Sequence, residues 1–205
     1  MPTPSWLHHR STSLVRRLLL PMFIVVVAGS LACGDATGPS GLQGPRNLWR
    51  PNPSSVPATG NYLVIESEQG DVIGGGVPKV YQSPTDTIAV TWRDDEDRLT
   101  FVAGSRLEGQ PSPLDFFIGD FVGPSGMNPL VIGYYGGLER FPFHDPTKGG
   151  LAVDGYGYGC NTLTGWFTVD AISYSGSTVT SLDLRFEQHC DGDVPALHGA
   201  IHWRL

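Results

Sequence analysis

The sequence is short of charge and short of helix. Asp, Glu, Lys and Arg make up 16% of its 205 residues, against about 25% in ordinary soluble proteins. Chain breakers are abundant instead, with 27 Gly and 17 Pro, together about a fifth of the chain against a usual ~12%. No segment carries ten or more residues of clean helical periodicity. A helical bundle or coiled coil needs many Ala, Leu, Glu and Lys and few breakers, and is excluded. Basic patches are lacking too: 13 Lys and Arg face 20 Asp and Glu. That leaves no electrostatic footprint for nucleic acid and no polybasic attachment to anionic lipid. Neither a Gly-x-Ser-x-Gly elbow nor a His-Glu-x-x-His motif occurs. No pair of carboxylates stands out for glycoside hydrolysis. Full disorder is excluded in turn. Leu, Ile, Val and Phe number 54, about 26% of the chain and above the ~20% floor of disordered chains. One domain with appendages fits the length.

The N-terminus reads as an export signal. Arg10, Arg16 and Arg17 precede a mostly apolar run from Leu18 to Ala32, and no acid occurs before Asp35. Fifteen residues are too few for a membrane span, which needs ~20, but suit the apolar region of a signal peptide. The run ends at Ser30-Leu31-Ala32-Cys33. A small residue before Cys resembles the bacterial lipobox, in which the Cys is acylated and becomes the mature N-terminus. Ser30 stands where that motif prefers Leu. We therefore expect a signal peptide over residues 1–32, lipidation at Cys33, a flexible tether over 33–60 and a folded domain over 61–205. Ordinary secretion, with Cys33 a bystander, is the alternative. Residues 1–32 hold three of the 13 basic residues and none of the 20 acids, so the mature chain keeps ten basic residues and a formal charge of −10. The tether reading rests on five Gly and five Pro among the 27 residues from Gly34 to Gly60. Trp49 lies inside it, free either to dock or to lie idle.

From Asn61 on, short β-branched and aromatic runs alternate with Gly, Pro, Asn, Asp and Ser. Strands are expected at Tyr62–Ser67, Val77–Gln82, Thr87–Arg93, Arg98–Ala103, Leu114–Asp120, Leu130–Gly136, Thr164–Tyr174, Val179–His189 and Ala196–Arg204. About nine short strands predict an all-β fold, an antiparallel jelly-roll-like β-sandwich or a small β-barrel. Two hairpins can be set in register. In the first, Ile88, Val90 and Trp92 face the same side as Leu99, Phe101 and Ala103, and Asp94-Asp95-Glu96-Asp97 forms the tip. Four acids could attract calcium, but without the spacing of a known loop they read as a solvated turn. In the second, a two-residue turn at Gly176-Ser177 pairs Phe167 with Phe186, Val169 with Leu184 and Ala171 with Leu182. That register sets Leu163 opposite Cys190, with Cys160 three residues away. Export places both Cys in an oxidising compartment, where a disulfide is the default. Its loop would stabilise by ~3–4 kcal/mol in the chain-entropy picture.

The outer face of this hairpin carries Trp166, Thr168, Asp170, Asp183, Arg185, Glu187 and His189. If the last strand pairs beside it, His189 can face His198, Arg185 can face His202, and Asp183 can face Arg204. Three readings fit this polar platform. It is a solvated face with cross-strand charge pairs. Or Trp166, Arg185, Glu187, His189, His198 and His202 form a ligand platform, Trp166 stacking on a sugar. Or His189, His198, His202 and Glu187 ligate zinc or copper. Gly74-Gly75-Gly76 and Gly155-Tyr156-Gly157-Tyr158-Gly159 lack the sequence context of phosphate loops and read as turns, bulges or close backbone approaches.

Several segments resemble one uncharacterised domain of bacterial exported proteins. They are Gly159-Cys160-Asn161-Thr162-Leu163-Thr164-Gly165, Phe186-Glu187-Gln188-His189-Cys190 and Pro195-Ala196-Leu197-His198-Gly199-Ala200-Ile201. Gly70 to Gly76 and Arg140-Phe141-Pro142-Phe143 share the likeness, which spans roughly residues 61–205. The resemblance implies export, a β-rich fold and a Cys160–Cys190 bridge, and no activity. The expected function is a lipid-anchored binding module facing the periplasm or exterior, for a glycan or an envelope partner. A structural or assembly lipoprotein is the alternative, and a metal-dependent enzyme the remoter one. No catalytic residue, resident metal, cofactor or nucleic-acid partner is expected.

Overall fold

The computed structural model describes residues 42–105 and 115–205. The export segment, Cys33, residues 33–41 of the tether and Leu114 lie outside them. The described residues form ten strands and no helix. These are β1 (Tyr62–Ser67), β2 (Lys79–Gln82), β3 (Asp86–Arg93), β4 (Arg98–Ser105), β5 (Phe116–Val122), β6 (Gly133–Arg140), β7 (Gly150–Gly155), β8 (Leu163–Ser175), β9 (Thr178–Cys190) and β10 (Ala196–Arg204). They make one sheet in the order β2-β1-β10-β9-β8-β6-β7-β5-β4-β3. The end strands β2 and β3 come together, so the sheet curls into a nearly closed barrel. The all-β expectation holds.

Two details differ. The strand count is ten, and the sheet is mixed, because β6 and β7 run parallel at Glu139–Gly150 and Arg140–Leu151. The additional strand is β7, Gly-Leu-Ala-Val-Asp-Gly, which begins and ends on glycine. Its inward positions explain why it escapes a β-branched pattern. Gly155 faces Phe117 across the ladder, and a Cβ there would sit 2.6 Å from the Phe117 ring. The same device recurs at Gly119 under Phe101 and at Gly199 under Phe186, each pair in register on neighbouring strands. The aromatic partner supplies the apolar surface that the glycine lacks. High Gly content and a filled core are therefore one fact.

The rings meet at the centre. Phe121 lies 5.2 Å from Phe167, 5.8 Å from Phe186 and 5.9 Å from Phe101, and Tyr135 stacks on Phe167 at 4.4 Å. Each fully buried ring contributes about 1.5–3 kcal/mol by area alone.

Both hairpins take the expected pairs near their apolar residues. Trp92 faces Leu99, Val90 faces Phe101, and Ile88 faces Ala103. Phe167 faces Phe186, Val169 faces Leu184, and Leu163 faces Cys190. Gly176, at φ 61°, takes the first central turn position, as a II′ turn requires. Between Val169 and Ala171 a bulge leaves Asp170 as an extra residue, so Ala171 faces Asp183 and Ile172 faces Leu182. The expected Ala171–Leu182 pair is thus corrected by one residue. The disulfide Cys160–Cys190 closes this end of the hairpin.

Gln188 is the one inward polar residue of β9, 1% exposed. It faces Gly165, so no side chain blocks it. Its amide donates to Val153 O at 2.7 Å and accepts from Val153 N at 2.9 Å. One side chain thereby satisfies both backbone groups of β7 where β6 has ended, in place of a neighbouring strand.

Candidate functional site

The platform exists, with a shifted register. β9 and β10 pair His198 with Glu187, Ala200 with Arg185, His202 with Asp183 and Arg204 with Ser181. The expected pairs, His189–His198, Arg185–His202 and Asp183–Arg204, are therefore each displaced by two residues. Side chains alternate with a period of two, so this shift keeps every residue on its face and changes only its partner. The correction has a chemical consequence, because each histidine of β10 now sits beside a carboxylate.

Every charged group of the platform is engaged from within the chain. Asp170, turned outward by its bulge, takes both Arg185 Nε at 2.6 Å and Nη2 at 2.8 Å. The third Arg185 nitrogen, Nη1, donates to the Trp49 carbonyl at 2.6 Å. Arg185 is only 6% exposed, and such a buried cation needs that full set of partners. His198 Nε2 lies 2.9 Å from Glu187, and His189 lies 3.4 Å from the other oxygen of the same carboxylate. His189 Nδ1 also donates to the Val194 carbonyl at 2.8 Å. His202 donates to Asp183 at 2.6 Å, Arg204 meets the same carboxylate at 2.7 Å, and Tyr62 stacks on His202 at 5.1 Å. Among the described residues, no three His, Cys, Asp or Glu side chains converge to hold a metal.

The platform is also partly covered. Leu42 to Asn52 runs across it as a strap. Tyr134 N donates to Leu42 O at 2.7 Å, and Leu42 packs on Gly133. Trp49 stacks on His198 at 5.0 Å, and its Nε1 donates to Glu66 at 3.2 Å. Asn52 N reaches the other Glu66 oxygen at 3.3 Å. Trp49 therefore docks. Trp166, 8% exposed, sits 6.1 Å from Tyr134 with too little open ring to carry a sugar. Of the six candidate ligand residues, the structure brings Glu187, His189 and His198 together, puts Arg185 beneath Trp49, and leaves His202 with Asp183.

A second polar cluster lies at one end of the barrel, and it is open. Two turns form its walls. In the first, Asp71 accepts from Ser67 Oγ at 2.6 Å, Gly74 N at 2.9 Å and Ile73 N at 3.2 Å, while Gly76 N donates to Ser67 Oγ. These amides are used up, so Gly74-Gly75-Gly76 is a closed turn and no phosphate cradle. The second turn, Gly155 to Tyr158, holds Tyr156 at φ 55°, a left-handed conformation that is uncommon for a bulky residue. Tyr156 packs edge-on against Phe117 at 5.4 Å. Between the turns is a cavity of about 360 Å3, lined by Val72, Ile73, Val77, Lys79, Tyr156 and Tyr158 with the backbone of Gly74 and Gly75.

Asp115 holds Lys79, the charged residue of this lining. It accepts a short hydrogen bond from the buried Tyr81 hydroxyl and a 3.1 Å ion pair from Lys79, whose Nζ lies 5.4 Å from the Tyr156 ring centre. Burial pushes the Asp115 carboxyl up, but hydrogen bonds from Tyr81, Tyr156 and Lys79 outweigh it and hold the group below its ordinary value. Burial, reinforced by the Asp115 contact, raises Tyr81 far above the usual phenol range. Lys79 is raised by its hydrogen bonds to Tyr156 and Asp115. The cluster thus holds a fixed ion pair with a neutral phenol beneath it.

Other cavities among the described residues include one of about 580 Å3 between Asn52 and Val80 and one of about 290 Å3 beside Phe143. None of the three is lined by a platform candidate. Comparison with known families, curated proteins and solved structures finds no match. The Lys79–Tyr81–Asp115–Tyr156 set was not legible as a site, because its members come from three separated segments. The alternating Gly-Tyr-Gly-Tyr-Gly run was the one local hint.

Proposed function

We propose that this chain is a lipid-anchored, extracytoplasmic binding module whose ligand surface is the barrel-end cavity. The open cavity beside a satisfied Tyr–Asp–Lys cluster carries this reading. Small-ligand sites are concave, mostly apolar and equipped with a few fixed polar groups, and this cavity has all three properties. The outer platform supports it less, because Trp166, Arg185 and His198 are buried, with Trp49 lying on His198. Export is supported by Arg10, Arg16 and Arg17, the apolar run and Ser30-Leu31-Ala32-Cys33. The Cys160–Cys190 bridge suits an oxidising compartment. A membrane partner enters only through the lipid at Cys33.

Two measurements test the reading. Labelled palmitate should enter the full chain in a bacterial host and be lost in Cys33→Ser. The full chain in mild detergent should bind isolated envelope material saturably. Absence of label would remove the anchor, and absence of saturable binding would leave an assembly role as the account.

A further inference from the structure

The charge pattern of the barrel-end cavity restricts what it can hold. Its cation, Lys79, is already neutralised by Asp115 at 3.1 Å, so an anionic group finds no free positive charge. Its aromatic face at Tyr156 is already taken by the Lys79 ammonium, 5.4 Å from the ring centre, so a quaternary ammonium finds no vacant cage. A neutral occupant is left. Apolar wall is provided by Val72 and Val77, both about half exposed. Tyr158 is 64% exposed beside them and offers a ring to stack on. Lys79, Tyr156 and Tyr158 line the same space and carry its polar side-chain atoms. A purely hydrocarbon ligand would leave those groups facing apolar surface at a cost. At about 360 Å3 the space lies near the lower limit of small-molecule sites.

We propose that this cavity binds a neutral sugar ring, its apolar face stacked on Tyr158 and its hydroxyls met by Lys79 and Tyr156. The proposal rests on the binding-module reading and narrows it to a ligand class and a position. The Lys79 ammonium, held by Asp115 at 3.1 Å, can donate to a hydroxyl without adding net charge to the site. Tyr156, held in its left-handed turn, fixes the wall against which the ring sits.

The test uses the full chain in mild detergent. The probes are methyl glycosides and short neutral oligosaccharides of glucose, galactose, mannose and N-acetylglucosamine, with choline, inorganic phosphate and glucuronic acid as charged counterparts. Saturable binding of at least one neutral sugar is expected, with none of the charged probes competing. Tyr158→Ala should weaken it about tenfold or more, the scale of one lost aromatic contact. Lys79→Met, which keeps the stem and removes the donor, should weaken it as well. Both variants should retain the wild-type unfolding midpoint within a few degrees, so that loss of binding is not loss of fold. Sugar binding that survives Tyr158→Ala would overturn the assigned position. Binding of envelope material with no neutral sugar bound would overturn the ligand class and leave the module reading intact. If neither is bound, both fail together.

Discussion

The outer face of β8 to β10 and the open end of the barrel are built from similar parts. Each combines carboxylates, a cation and aromatic rings. On the outer face the ring comes from the chain itself: Trp49 lies on His198, and Arg185 holds the Trp49 carbonyl. At the barrel end Tyr158 lies bare beside a cavity. Composition therefore does not separate a site from a sealed surface. The separating quantity is whether the chain itself already covers the aromatic ring that a ligand would use: Tyr158 is open, while Trp166 and His198 are buried.

That contrast can be broken at Arg185 with the largest effect. Arg185→Met would leave Asp170 and the Trp49 carbonyl without their partner. We expect a loss of about 3 kcal/mol, the scale of breaking a largely buried pair, read from urea unfolding. Next in size, Trp49→Ala should cost about 2 kcal/mol through lost ring burial and the lost bond to Glu66. It should also speed exchange of the Tyr134 amide, which Leu42 holds, without touching the barrel end. At the barrel end, Tyr81→Phe should cost about 1–2 kcal/mol, a hydrogen bond to a charged group. It should change the pH profile too. The Tyr81 pKa is raised in the fold, so its contribution is complete below its ordinary value of 10.0 and falls as pH rises above it. Tyr81→Phe should flatten that alkaline decline. Asp115 has the opposite sign, its contribution present above 3.8 and lost as pH falls below it. Smallest of all, Tyr158→Ala should change stability by under about 0.5 kcal/mol, as an exposed position should, while removing the stacking ring.

The sequence was most informative where neighbours in the chain are neighbours in space. The alternation in Ile88 to Ala103 and in Phe167 to Phe186 sets the apolar pairs of both hairpins except Ala171–Leu182, which the bulge at Asp170 shifts, because a short turn leaves little freedom of register. It was least informative where pairing is set by distant residues. The β9–β10 register slipped by two because both registers bury the same faces. β7 was missed because it begins and ends on glycine, and Gly155 borrows apolar surface from Phe117 on another strand. The platform residues lie on one face of β8 to β10, yet nothing local in Leu42 to Asn52 indicates that this segment crosses it. The cavity was missed because Lys79, Asp115 and Tyr156 meet only after the sheet has curled.

Hydroxyl-radical footprinting of the full chain tests the contrast most directly. Tyr158, Val72 and Val77 should label quickly, while Trp166 and His198 are protected, and a bound neutral sugar should slow labelling at the barrel end alone. Labelling of Trp166 and His198 as fast as Tyr158 would mean that the strap does not seal the outer face, and would contradict the account.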